Sequence, residues 1–446
     1  MEFLDKLVLP QSAEHLMLLH YLLIVTMFLF IPFVSVVFGG AAVSLYFRRK
    51  GISTGNSLYL RYAKDIIETL TLTKSSGIAL GILPLLTAML ISVQLLHTSN
   101  IATDAFLFAA FLLITTGLIL VYIFRYSQSF SELFQTMKDF KSTSNELNEI
   151  ITKFSRSNTS LGAKSGGWGL IFLFLAIWTF ITGITAATFS EVWGSAGAFS
   201  MLFSWQVLAR VLFFIAAAFA LTGASIFFSF FYLGGRKKIK NEEYKELVKN
   251  NALTITFAGA IILPIFLIIN IYALPAYVLS KAVFAYALGA LLLTFVVYHL
   301  LYGIGKLKSF NLSGSLFFVM MFAILSFIVQ DQLALANATK QQSLVLSSQY
   351  DTYITALKVE SAPAVAVSGE DVYKRICSAC HQFDAKLVGP SYNETLPKYE
   401  GKVDQLVAFI RNPSKVNPAY PPMPNPGIRP DEAKAVAEYI LSTYKK

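Results

Sequence analysis

Two cysteines occur in the 446-residue chain, and both fall in one pentapeptide, Cys377-Ser378-Ala379-Cys380-His381. A Cys-x-x-Cys-His run is the attachment pattern of a covalent c-type haem. The spacing has a chemical reason. Two thiols on one helical turn reach the two vinyl groups of a porphyrin as thioethers, and the adjacent imidazole is then held beneath the ring as an axial iron ligand. A zinc or redox Cys-x-x-Cys would use the same thiols, and a chance pentapeptide would look alike. Two cysteines leave no disulfide framework to consider.

The surrounding residues favour the haem reading. A short helical pattern, 369–376, leads into the pentapeptide, and Gly389-Pro390 follows as a turn suited to close approach. An amphipathic helix is expected at 403–411, then a rigid loop, Tyr420-Pro421-Pro422-Met423-Pro424. The run 430–444 reads as a closing helix with Asp431 and Glu432 in its first turn. In this order the stretch 369–446 resembles a class I cytochrome c domain. The resemblance implies a single covalent haem c with His381 and Met423 as its two axial ligands. The counts agree, since His381 is the only histidine and Met423 the only methionine after residue 330. His/Met ligation raises the reduction potential and leaves no open coordination position, which suits electron transfer.

The rest of the chain is of a different kind. Hydrophobic residues make up 55% of the sequence and charged residues 14%, where a soluble domain is about 25% charged. An entirely aqueous fold and a disordered chain are both excluded. Eight stretches are apolar enough to cross a bilayer, near 16–47, 76–96, 101–124, 168–188, 205–233, 253–274, 281–303 and 314–330. The expected architecture is all-α: a membrane bundle over 1–330, a linker of small residues over 331–368, and the cytochrome domain over 369–446. The segments 48–74, 125–167, 234–252 and 304–313 carry 20 Lys and Arg, and the opposite segments carry two, Lys6 and Lys281. The positive-inside rule puts the first group in the cytoplasm and both termini outside. The net charge of +10 is thus explained by topology, and a nucleic-acid partner is excluded. The tail before the first span carries Glu2, Asp5 and Glu14, and the span is longer than a signal-peptide core, so it reads as its own insertion signal. Segment 125–167, with Phe130, Leu133, Phe134 and Met137, is expected to prolong the third span as a helix into the cytoplasm.

Polar side chains in a bilayer are costly and mark function by default. The candidates are His15, His20, His97, His299, Asp104, Glu191 and Arg210. His97 stands 23 residues past Lys74, about 34 Å of helix at 1.5 Å per residue, and so lies near the outer surface. His20, Asp104, Glu191 and Arg210 also fall at outer ends; His299 falls near the cytoplasmic face. A second haem, of b type, would be ligated by His20 (or His15) and His97, with Arg210 on a propionate. The bland alternative is a set of interfacial side chains wetted by headgroups.

The membrane part is similar to the large subunit of bd-type oxidases. It has a histidine early in the first span, four spans with a cytoplasmic excursion, and a fifth span containing Leu221-Thr222-Gly223-Ala224 and ending in Gly234-Gly235-Arg236-Lys237. It departs from that family in having Arg210 and no histidine in the fifth span, and only Asp104 at the edge of the third. The resemblance implies a relative that has lost most of its haem ligands and serves as a structural or electron-input subunit. The expected function is that of a respiratory-chain electron-transfer subunit in a bacterial inner membrane, its haem domain on the periplasmic side. Its partners would be other membrane subunits, a soluble or membrane redox carrier, and a quinone. A transporter or scaffold with an accessory haem sensor, and a self-contained quinol:cytochrome c oxidoreductase, are the alternatives.

Overall fold

In lipid a backbone satisfies its own polar groups only as a helix or a closed barrel, and this chain takes the first route. The computed structural model describes residues 11–96, 103–139, 145–193, 198–233, 241–361 and 367–444. Among them stand eight helices long and apolar enough to span a membrane: α1 (Ala13–Thr54), α3 (Lys74–Leu96), α4 (Thr103–Asp139), α5 (Asn145–Thr188), α6 (Trp205–Tyr232), α7 (Glu242–Ala273), α8 (Lys281–Lys306) and α9 (Leu312–Ala338). Each expected span is present. No strand occurs among the described residues. Helices α1, α6, α7 and α8 start on Ser12, Ser204, Asn241 and Ser280, whose side-chain oxygens accept backbone N–H groups that the first turn leaves unpaired. The chain divides into two compact units, Met1–Asp351 and Thr352–Lys446.

Small residues bring the membrane helices together. A Cβ on Gly259 of α7 would lie 2.5 Å from the Ala220 nitrogen and 2.6 Å from the Ala216 oxygen of α6. Only glycine lets these two backbones approach so closely, as is usual where lipid removes the hydrophobic drive for helix association. Proline is tolerated in α7 for a related reason. Pro264 removes the N–H that would meet the Ala260 carbonyl, and the Tyr298 hydroxyl of α8 donates to that carbonyl at 2.8 Å instead.

Three features depart from the sequence expectation. The basic segment after α1 holds an amphipathic helix, α2 (Ser57–Leu70), which buries Tyr62, Ala63, Ile66, Ile67 and Leu70. Its backbone is held by α1, where the buried Ser44 hydroxyl donates to the Ala63 carbonyl at 2.6 Å. The last span, expected to end at 330, continues to Ala338. The break in hydropathy at Gln330-Asp331-Gln332 is not a helix end, because Asp331 is paired inside the bundle. Beyond it, where a spacer was expected, Lys340–Ser361 forms a further helix, α10. The small-residue run 362–366 lies outside the described residues. Segment 125–167 agrees with expectation: α4 is continuous to Asp139, and α5 returns from Asn145. Their arms are joined by Ser127 Oγ donating to the Asn158 carbonyl at 2.8 Å and Asn158 Nδ2 donating back to the Ser127 carbonyl at 2.9 Å.

The second unit has its own core. Helix α11 (Gly369–Val372) runs on through Tyr373–Cys377, followed by α12 (Val403–Arg411) and α13 (Pro430–Thr443). Val372, Leu406, Ile410, Val436 and Ile440 are buried together. Glu432 fastens the first helix to the last. It accepts from the Arg429 backbone N–H at 3.0 Å, capping α13, and from Arg375 Nη2 at 2.5 Å. These bonds, the Arg429 backbone first and Arg375 second, hold the Glu432 carboxyl below the usual carboxylate range.

Candidate haem site

The pentapeptide sits at the end of α11, where the helix widens. Ser378 N–H donates five residues back to the Tyr373 carbonyl at 2.9 Å, and both Cys380 N–H and His381 N–H donate to the Cys377 carbonyl, at 3.1 and 2.9 Å. That single carbonyl draws Cys377, Cys380 and His381 into one turn. Gly389 N–H donates to the Cys380 carbonyl at 2.8 Å, and the Tyr373 hydroxyl to the His381 carbonyl at 3.2 Å.

The imidazole is fixed on two sides. His381 Nδ1 lies 3.0 Å from the Pro390 carbonyl. A carbonyl only accepts, so Nδ1 carries the proton and Nε2 keeps the lone pair a metal needs. The ring stacks on Tyr392 at 5.2 Å between centroids, 7° from parallel. Burial pushes the Cys377 thiol above its ordinary pKa; a hydrogen bond with Tyr392 works against this, and nearby Cys380 adds to it. Burial raises the Tyr392 hydroxyl too, followed by its proximity to Cys377. Both groups stay neutral at neutral pH.

A cavity of about 470 Å³ gathers these residues with the proline-flanked methionine: Cys377, Cys380, His381 and Met423 all line it, with Leu406 and Ile410 behind. Prolines 421, 422, 424 and 426 remove backbone donors and fix φ around Met423. Asn417 Oδ1 and Asn425 Oδ1 accept from the Ala419 and Gly427 N–H groups at 3.0 and 2.9 Å, closing the loop on either side. The donor set fits a covalent haem: two thiols, one imidazole with a directed tautomer, and one thioether around a single cavity of ligand-binding size.

Gly389 is dictated by this arrangement. A Cβ there would lie 2.7 Å from both His381 Nδ1 and Nε2. Gly389→Ala is therefore expected to displace the ring and lower the haem content of purified protein several-fold, read as the haem-to-protein absorbance ratio. Wild-type haem content in that variant would show that the ring has room to spare.

The membrane candidates fare unevenly. His97 lies outside the described residues. His20 is half-buried in α1, and its Nδ1 is buried without a hydrogen-bond partner among the described residues. His15 Nε2 lies 3.4 Å from Gln94 Oε1. His299 is exposed, with Nδ1 2.9 Å from the Phe295 carbonyl of its own helix. Glu191 is exposed. Arg210 departs from expectation. Its Nη2 is 3.0 Å from Asp331 Oδ1, and the two side chains are only 10% and 15% exposed. An acid on α9 thus meets the guanidinium assigned above to a propionate. Sequence reading missed Asp331 by placing it in the linker. Its signal was present, as an acid 19 residues into α9, at the depth of Arg210 from the same face. Tyr392 was also missed, and nothing local to it foretells its stacking on His381.

The fold and the cavity define a c-type cytochrome domain attached to a multi-pass membrane protein. Through its C-terminal segment the chain belongs to the class I c-type cytochromes. Residues 364–440 match the family described as cytochrome c oxidase, cbb3-type, subunit III. The chain is 40% identical over 84 residues to cytochrome c-551 of Stutzerimonas stutzeri, covering 18% of this chain and 81% of that protein. It is 40% identical over 79 residues to cytochrome c-551 of Azotobacter vinelandii, covering 17% and 96%. It is 39% identical over 69 residues to cytochrome c-552 of Hydrogenobacter thermophilus, covering 15% and 70%. These matches carry covalent haem c and electron transport to the C-terminal segment. They do not extend to the membrane part.

Proposed function

We propose that the protein passes single electrons through a haem c held by Cys377 and Cys380 and ligated by His381 and Met423, as the cytochrome subunit of a membrane oxidoreductase. The convergence of two thiols, an imidazole with its Nε2 lone pair preserved, and a thioether on one cavity carries this reading. When bound, the iron supplies reversible one-electron chemistry. The chain's own residues do the rest. Pro390 and Tyr392 set the ring of His381, the prolines around Met423 hold its sulfur in place, and Leu406 and Ile410 present an apolar wall that excludes water. His/Met ligation then favours the reduced state.

The 20-to-2 distribution of basic residues supports an outward-facing haem domain, and covalent attachment of this type on the outer side of a bacterial inner membrane supports the same topology. One helix would suffice as an anchor. Eight support a bundle that docks against other membrane subunits, as an electron-input or structural member of a bd-like assembly. The buried Nδ1 of His20, which has no hydrogen-bond partner among the described residues, favours a second, non-covalent haem b at the outer end of α1, shared with His97.

A pyridine haemochrome spectrum of the purified chain tests both assignments. One haem c per polypeptide is expected, lost on replacing Cys377 and Cys380 by serine. A colourless wild-type protein made with a working maturation system overturns the carrier reading. A haem b signal abolished by His20→Ala supports the second haem, and haem c alone removes it.

A further inference from the structure

Helices α4 and α5 share a pattern that neither the haem nor the bundle interior uses. On α5 a large apolar side chain recurs every seven residues, at Leu147, Phe154, Leu161, Trp168 and Leu175, and all five are exposed. On α4 the same repeat runs through Leu112, Ile119, Tyr126 and Leu133, again all exposed. Toward the far ends of the arms, Phe130 and Met137 on α4 and Ile150 on α5 fill the intermediate positions, alternating steps of three and four. A seven-residue apolar repeat is the seam of a left-handed coiled coil, and it calls for another helix as its neighbour. The two helices do not spend these positions on each other. They meet instead through Ser127 and Asn158 and through the small residues Gly117 and Gly169.

Lipid accounts for only half of each stripe. Leu112, Ile119 and Leu175 lie within the apolar spans 101–124 and 168–188, and Tyr126 and Trp168 suit the aromatic belt at the interface. Met137, however, stands 12 residues past Arg125, about 18 Å along the helix. Phe154 and Leu147 stand 10 and 17 residues before Lys164, about 15 and 26 Å. A headgroup layer is only about 5–8 Å deep on each side of the hydrocarbon. Phe154 is nonetheless 60% exposed. A patch of large apolar side chains this far from lipid marks a protein contact.

The stripes lie on one side of the helix pair. At about 100° per residue both turn to the side that α1 and α2 leave free. Helix α2 holds α4 through Ser129 Oγ, which donates to Glu68 at 2.6 Å, and through the Lys64 and Glu132 pair. Helix α1 holds α5 through Arg48 Nη2, which donates to the Thr159 carbonyl at 3.0 Å. The heights of the two stripes also agree. Counting from the contact of Ser127 with Asn158, Phe130, Leu133 and Met137 stand 3, 6 and 10 residues up α4. Phe154, Ile150 and Leu147 stand 4, 8 and 11 residues up α5. Taken in order, the paired levels differ by about 3 Å or less.

This matching selects the occupant. A second copy inserted in the same direction is related by a two-fold axis along the membrane normal. Such an axis preserves height and lays α4 of one copy against α5 of the other, so the three apolar levels coincide without a shift. The surrounding charge is mixed, with six basic and four acidic residues over 125–164. Two copies therefore meet with little like-charge penalty, whereas a strongly charged partner finds no patch of one sign to answer. We propose that two copies of this chain associate through α4 and α5, the four arms forming an antiparallel four-helix bundle beyond the bilayer. The proposal concerns the membrane unit alone and does not depend on how the haem is ligated.

The test is the mass of the full-length protein in detergent, measured by light scattering with the detergent subtracted. Wild type is expected at the mass of two 49.3 kDa chains. Phe154→Glu and Leu133→Glu should each give the mass of one, raising the dimer dissociation constant at least a hundredfold. Both side chains are exposed in the single chain, so haem content should stay at wild-type level and elution monodisperse. Arg156→Glu, a charge reversal off the stripe, should leave the dimer intact. A second measurement works in isolated membranes, where detergent cannot separate the copies. The only two native cysteines lie in the haem motif, so chains carrying Leu133→Cys and Ile150→Cys, made together, should give an interchain disulfide on adding copper phenanthroline. Three results overturn the proposal: a monomeric wild type with no such cross-link, a dimer that survives both glutamates, or a different subunit released from the arms by either glutamate.

Discussion

Met423→His should lower the midpoint potential of the haem by on the order of 0.2 V, a fraction of the roughly 0.8 V range that axial ligands command, while covalent attachment survives. The thioether is a soft ligand that stabilises the reduced iron, and imidazole is a stronger donor that stabilises the oxidised one. Met423 lines the same cavity as His381, so a histidine in the proline-bounded loop starts within reach of the same position. Cys377 and Cys380 are untouched, and in-gel haem staining should match wild type. Redox titration of the purified full-length protein decides the matter. An unchanged potential would remove Met423 from the ligand set, and the loop's four prolines would then need another explanation.

The haem motif could be read because covalent attachment compresses its chemistry into five consecutive residues. Met423 could be read because prolines hold it and because no other methionine follows residue 330. Gly389 and Tyr392 have no comparable local signal. Their roles arise only when Pro390 accepts from Nδ1 and the chain closes over the imidazole ring. The eight spans were legible from composition, whereas helix ends were not. Hydropathy averages along the sequence and is blind to a partner on another helix. It therefore counted Asp331 against α9, although Arg210 compensates its charge. The helix α2 was hidden for the opposite reason. Arg61 and Lys64 mark the segment as a cytoplasmic loop, and the buried positions Tyr62, Ile66 and Leu70, four residues apart, are interleaved with Arg61, Lys64, Asp65 and Glu68.

Asp331→Ala should destabilise the membrane unit by about 3–5 kcal/mol, the usual consequence of leaving one member of a buried ion pair uncompensated. Arg210 would then hold a charge, with its side chain only 10% exposed, against Phe213, Phe214 and Phe327. The double replacement Arg210→Met with Asp331→Leu removes both charges and keeps most of the volume, and should restore stability to near wild type or above it. Thermal inactivation of monodisperse protein in detergent compares the three. A single variant as stable as the double one would mean that water or lipid headgroups already reach the guanidinium, and the pair would lose its standing as an interior contact. With the expected order, the apolar pair is as good a structural solution as the charged one. Packing then gives no reason for Arg210 and Asp331 to be charged.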